Sequence, residues 1–504
     1  MPGEPIRLGP FAGGINHLSD PTALQDTELL DVVNAELDLD GSYVARPPFF
    51  DLASPGSGVG MTLLGWYITD AHTRLIGINS TSLWSYESGA WTAIGGTGTL
   101  KATAMVQYDN TAYIIATSDS ATDGGSLNDS LTYSTIAAIP RGGAAVVHKE
   151  RLFIVPNVEK TGSDASLLKG SAPANFSSFP ISVYINKGDG QKLLDIVVYN
   201  DNLLLFKQDS TYVLAYDADP ADAITRKIKD GIGVASRWCV AAYENQLYVL
   251  HRNNVYEVVN YDFSKLNAKV PLFYDATQPA PWVSPTYCAV VGDRLLVKYF
   301  NRLYLFGLKT KVWTRWDADI RYPGVPVAVP IRGTVNAVPT YIMASADSSS
   351  NDIHSMRDII DGSNPETIFV LIKTKNYDYG VPHRYKRLMW WGADVSTTKL
   401  ISGIVQPVVV NFSVTWGDLA AFTWGSIAGN TWDQPLSVPF VVQTVVGSQS
   451  AMRKFVKFQK SLRFRQINFQ LSLSYDGTNV TGPLRFFTFT TLIGTKQHVS
   501  KSLT

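Results

Sequence analysis

Cysteine is nearly missing from this chain: Cys239 and Cys288 are the only two in 504 residues. That excludes a disulfide framework and any Cys-x-x-Cys metal or redox motif. Each cysteine begins the first strand of a repeated unit, in Arg237-Trp-Cys-Val240 and Thr286-Tyr-Cys-Ala289. Equivalent strands of neighbouring units diverge, so two separate buried thiols are expected rather than a bridge. Charge is scarce as well. Charged residues make up 17% and cancel to a formal net charge of zero, which argues for a chain that sits in an assembly rather than free in solution. No apolar run approaches the roughly 18 residues of a membrane-spanning helix. Met1-Pro-Gly-Glu-Pro-Ile-Arg7 lacks the apolar stretch of a secretory leader, so synthesis in a cytoplasm is expected. Gly-x-Ser-x-Gly and His-Glu-x-x-His do not occur, and the seven histidines are scattered. No catalytic residues, no metal and no cofactor are therefore expected.

What the chain has in quantity is strand-forming sequence. Aromatics reach 12%, with 12 Trp and 24 Tyr. An apolar strand, a tight polar turn and a second apolar strand recur. Examples are Ala104–Ile115 around Asp109-Asn110, Ala144–Val155 around Lys149-Glu150, and Ile196–Phe206 around Asn200-Asp201. Val240–Leu250 around Glu244-Asn245 and Ala289–Val297 around Gly292-Asp293 continue the series. Adding the turn near 72 and a weaker one near Gly333, the spacing averages the forty-odd residues of a four-stranded propeller blade. The expectation is an all-β chain with a β-propeller over 61–375, of about seven blades with six as the alternative.

Flanking segments read differently. Residues 1–60 form an N-terminal extension. Asp20-Pro21 resembles a helix start, Asp26–Asn34 a short helix, and Ala35–Arg46 a hairpin turning at Asp40-Gly41. Residues 376–504 read as a C-terminal antiparallel β-sandwich, jelly-roll-like, with a strict alternation in Phe464–Gly477. Trp416, Trp424 and Trp432 lie eight residues apart; they suit core or rim packing, with stacking on a glycan as the alternative. Arg453, Lys454, Lys457, Lys460, Arg463 and Arg465 form a basic stretch. It is read as a solvated face, a subunit interface or a nucleic-acid contact. Residues 1–70 hold ten acidic and two basic residues, whereas 451–504 hold one acidic and nine basic. The ends are thus candidates for complementary surfaces. Asp38 and Asp40 flank a turn, where aspartate is ordinary, and Gly96–Lys101 opens no helix.

Phe11-Ala-Gly13-Gly14-Ile15-Asn16 is followed in order by Asp20-Pro21, Asn34, Gly41 and Arg46-Pro47. This block resembles the opening of tailed-bacteriophage β-propeller tail proteins of the nozzle or tail tubular protein B type. Pro48 stands where that opening usually has glycine. Asp195–Lys207, Gly231-Ile-Gly-Val-Ala-Ser236 and Phe464–Gly477 are similar to later parts of such proteins. The resemblance implies a structural virion protein without catalysis, assembled in the host cytoplasm. It would form a homo-oligomeric ring, most often a hexamer, that continues the DNA ejection channel. Its partners would be an adaptor, fibres, a plug or a tip, with genomic DNA passing through untethered. A distal tail-tip protein that binds a host surface receptor or carbohydrate is the alternative.

Overall fold

The computed structural model describes residues 6–495 except 47–48, 53–62, 79–81, 88–89, 97–99, 118–119, 121–122, 157–162, 218–219, 235, 271–286, 300–301, 317–330, 336–337, 345–352, 358–366, 378, 380–385, 398–401, 411–451, 459–461, 465 and 477–484. Among them there is no α-helix. The chain divides into two compact units. One comprises Phe49–Tyr304 with Ala318–Asp358, the other Met1–Pro48 with Leu305–Asp317 and Ile359–Thr504. These differ from boundaries at 60 and 375, because strands exchange between distant parts of the sequence.

The first unit is a β-propeller. Its blades open with Leu63–Ile68, Ala102–Tyr108, Gly142–His148, Leu193–Tyr199, Val240–Tyr243, Tyr287–Val291 and Ile331–Val335, seven among the described residues. The opening strands of blades 1 to 4 lie side by side in order, as do those of blades 5 and 6. Ile331–Val335 returns beside Leu63–Ile68. Blades 1 to 5 are each a contiguous four-strand meander. Blade 7 takes its fourth strand from Phe49–Leu52, which pairs with Ile353–Arg357 so that Leu52 faces Ile353. The N-terminal segment thereby closes the ring. Within blade 6, Arg302–Gly307 carries the chain from one unit into the other.

The turns at Asp109, Glu150, Asp201, Glu244 and Asp293 all join the first and second strands of their blades, as the repeat requires. Lys149 and Glu150, like Asn200 and Asp201, have positive φ at both positions, the geometry that matches strand twist in a two-residue hairpin. Gly333 is a correction: it lies within the strand Ile331–Val335, opposite Thr340.

Each blade buries its faces against its neighbours. Tyr67, Ile76, Ile78 and Leu83 of blade 1 pack on Ala112, Ile114 and Leu127 of blade 2. Phe153, Val155 and Leu168 of blade 3 pack on Leu203, Leu205 and Leu214 of blade 4. A second strand lies between two neighbouring blades, so both its faces are covered. That is why Leu203–Phe206 reads as an unbroken apolar run with every side chain fully buried. Polar clasps join the blades at the turns. The Tyr67 hydroxyl donates to Asn110 O, and Tyr199 to Asn245 O at 3.1 Å. His148 Nε2 lies 3.3 Å from the Asp201 carboxylate.

The second unit is a sandwich of two sheets. One runs Met452–Phe458, Lys386–Thr397, Arg485–Thr495, Tyr43–Ala45, Ala35–Leu37, with Ile6–Leu8 also on Arg485–Thr495. The other includes Trp313–Trp316, Glu28–Val33, Thr367–Thr374, Gln466–Asp476 and Ser402–Val410 in that order. Phe469 of one sheet meets Phe489 of the other, ring centroids 5.7 Å apart. The sandwich is therefore not self-contained in 376–504; N-terminal strands build both sheets.

Two local expectations fail here. Glu28–Val33 is a strand, not a helix. Six residues ending in two valines make a poor isolated helix, and partners on both sides satisfy their backbone groups. Asp20 starts no helix; its carboxylate accepts the Thr22 N–H at 2.8 Å and closes a turn. The hairpin is present, with Leu37 opposite Tyr43, and it joins the sandwich through Val44 and Arg485.

Candidate functional site

The residues that open the chain converge in the sandwich unit. Asn34 has φ 56°, a left-handed conformation that asparagine tolerates. Its Nδ2 donates to Phe369 O at 2.8 Å, and its Oδ1 accepts from Arg46 Nε at 3.1 Å. The Arg46 N–H in turn donates to Asn34 O at 2.9 Å. Arg46 and Glu28 are buried, and Asn16 Nδ2 reaches the Glu28 carboxylate at 3.1 Å. Gly13 donates its N–H to Thr27 O at 2.8 Å. Gly14 has φ +67°, and a Cβ there would lie 2.3 Å from Val312 Cγ1, so only glycine fits. Gly41 turns the hairpin, and Pro21 O accepts the Asn376 N–H at 2.9 Å. Pro47 lies outside the described residues. Through these bonds, to one another and to neighbouring strands, the groups form a buried clasp.

Part of the charge asymmetry is settled inside the chain. Arg485 lies 2.8 Å from Asp38 and 2.7 Å from Asp40. Lys375 meets Asp26 at 2.6 Å, and Arg315 meets Asp31 at 2.9 Å. Burial pushes the Asp40 carboxyl upward, but bonds from Ser42 and the Arg485 charge outweigh it and hold it below its usual range. Of the basic stretch, Arg453, Lys454 and Lys457 lie on a strand paired with Lys386–Thr397, opposite Ser396, Val395 and Gly392, and Arg463 is opposite Arg387. Their side chains, with Lys460, Arg465, Trp416, Trp424 and Trp432, fall outside the described residues.

Two propeller features escaped the sequence. Lys207 is fully buried, and its Nζ donates to Asp189 Oδ1 at 2.7 Å, Ser166 Oγ at 2.9 Å and Asn186 O at 3.0 Å. Tyr212 adds a hydroxyl bond to Asp189 Oδ2 at 3.2 Å. Burial draws the Lys207 ammonium down, while the bonds to Asp189 hold that carboxyl low against its own burial. The signal was a lysine closing the apolar run Leu203–Phe206 on a second strand.

The second lies where the inner strands begin. Arg237 Nη1 donates to Thr103 O of blade 2 and Gly143 O of blade 3, each at 3.3 Å. Its guanidinium stacks 4.0 Å from the Trp238 ring. Asp195 of blade 4 is close by. Burial raises its carboxyl to about 7, against the N–H groups of Ile196 and Trp238 and the Arg237 charge, which lower it. A raised carboxyl keeps its proton in the folded state between about pH 4 and 7, where the unfolded chain has lost it. Folding stability therefore falls as pH climbs through that window and is level above it. Asp195→Asn removes the titration. Its melting temperature should gain on the parent across pH 4 to 7, by about 3 °C or more at the upper end. A thermal-melting series over pH checks this; a constant difference from pH 4 to 8 would contradict it.

Among the described residues, no group of three or more His, Cys, Asp or Glu side chains could hold a metal ion. Both cysteines are free and buried, and burial raises the Cys288 thiol well above its usual range. No family model matches the chain in sequence, nor does any characterised protein. Solved structures resemble it in shape. The extracellular domain of a hybrid two-component system from B. thetaiotaomicron aligns at TM-score 0.45 and 10% identity, over 64% of this chain and 41% of that one. A second such domain from B. thetaiotaomicron aligns at TM-score 0.47 and 9% identity, over 88% and 63%. The WD40 domain of Neurospora crassa Pan2 aligns at TM-score 0.40 and 8% identity, over 62% and 95%. The chain thus spans less than two thirds of the length of the two-component domains.

Proposed function

We propose that this chain is a structural subunit of a tailed-bacteriophage tail, without catalytic activity, that assembles into a ring of the nozzle type. The observation that supports it most is the clasp. Gly13, Gly14, Asn16, Asn34 and Arg46, which carry the resemblance, are engaged in holding strands together. The ring would sit in the virion, be hexameric, and contact an adaptor, fibres, a plug or a tip. The basic stretch from Arg453 to Arg465 is a candidate subunit contact, because oppositely charged rims steer assembly. DNA sliding through such a ring calls for a neutral or acidic wall, since clustered lysine and arginine would hold phosphates by counterion release. A distal tail-tip, receptor-binding role is the second reading, favoured only by the spacing of Trp416, Trp424 and Trp432.

Immunogold electron microscopy separates these readings, applied to tailed-phage particles from a genome that encodes this chain. Label where the tail meets the head supports a nozzle, and label at the far end supports the tip reading. Particles that carry no label would rule out both.

A further inference from the structure

We infer that the inner-strand ends of blades 2 to 4 form a guanidinium-binding cup, which Arg237 fills from the loop leading into blade 5. The inference is independent of any role in a phage tail. The three opening strands each break register at the same place: between Ala102 and Ala104, Gly142 and Ala144, and Leu193 and Asp195. Such bulges leave one residue without a cross-strand partner and re-aim its groups. In blades 2 and 3 those residues are Thr103 and Gly143, whose carbonyls receive Arg237 at 3.3 Å. Thr103 Oγ1 donates to Gly142 O at 2.6 Å, a further tie between the strands of blades 2 and 3. Asp195 follows the blade 4 break, paired with Phe206, near enough for the Arg237 charge to act on its carboxyl.

The shape of the cup selects its occupant. Both carbonyls accept from the one Nη1, and the Trp238 ring at 4.0 Å offers a face on which the planar guanidinium stacks. A lysine ammonium is a point charge without a plane to lay on that ring, so it forfeits the stacking even where it reaches the carbonyls. The loop is held for the purpose: Trp238 has φ 69°, an unfavourable conformation for a bulky residue. Its carbonyl accepts the Cys288 N–H of blade 6 at 2.9 Å. One side chain thus links the first strands of blades 2 and 3 to the chain entering blade 5.

Chemical rescue of the full-length protein tests this. Arg237→Ala should melt about 5 °C or more below the parent. Millimolar guanidinium chloride should raise its melting temperature relative to the same concentration of sodium chloride, because a ligand that binds only the folded state stabilises it. The parent, whose cup is full, should show no such gain. Arg237→Lys keeps the charge but not the planar group that stacks on Trp238, so it should remain several degrees below the parent, and it decides the matter if the alanine variant cannot be purified. Equal melting of R237K and the parent, or an R237A protein that guanidinium favours no more than sodium, would overturn the cup.

Discussion

Removing residues 1–52 should leave a chain that does not fold into soluble protein. Three losses coincide. Phe49–Leu52, the fourth strand of blade 7, disappears, and an unclosed ring exposes a strand edge that invites aggregation. Glu28–Val33, with partners on both sides, leaves the middle of a sandwich sheet. The clasp loses Asn16, Glu28, Asn34 and Arg46. Phe11, Leu29, Val32 and Val33 are buried, and Phe11 packs against Phe486 and Phe489 with ring centroids 6.3 Å away. At about 1.5–3 kcal/mol for each buried side chain, these four alone approach a typical net stability of about 5–15 kcal/mol. Soluble yield and thermal melting of the truncated chain check the expectation. A soluble product that melts like the parent would show that the N-terminal strands are accessory.

Asp189→Ala should be the most damaging single substitution in the propeller, at about 3–5 kcal/mol, because it strands a buried ammonium. Lys207 would keep Ser166 and Asn186 but lose its counter-charge. The double variant Asp189→Leu with Lys207→Met removes both charges and should recover most of the loss, since well-packed apolar pairs often replace buried ion pairs at little cost. Denaturant midpoints of Asp189→Leu, Lys207→Met and the double variant supply the cycle. A double variant as unstable as Asp189→Ala would place the loss in packing rather than in the stranded charge.

The propeller was legible because its blades repeat one local instruction. A turn such as Asn200-Asp201 between two apolar runs fixes a hairpin, and a second strand buried on both faces writes itself as Leu203–Phe206. The sandwich was harder to read. Nothing in Glu28-Leu-Leu-Asp-Val-Val33 announces that its partners lie hundreds of residues away, at Trp313–Trp316 and Thr367–Thr374. The pattern Leu29, Val32, Val33 suits a helical face as well as a strand, and distant partners decided the outcome. The closing strand Phe49–Leu52 was hidden for the same reason. The clasp was visible as a set of residues but not as a geometry: Asn34 and Arg46 meet only because a hairpin folds between them. Arg237 and Asp195 gave a weaker signal still. They sit where three inner strands share a bulge, and a bulge displaces one residue without disturbing the apolar pattern around it.

The central claim, a ring-forming structural subunit, is tested most directly by mass photometry of the purified full-length chain at physiological salt. The proposed nozzle predicts a dominant species of six copies of the 55.3 kDa chain. A trimer would point to the tail-tip reading, and a population that stays monomeric as concentration rises would contradict the ring.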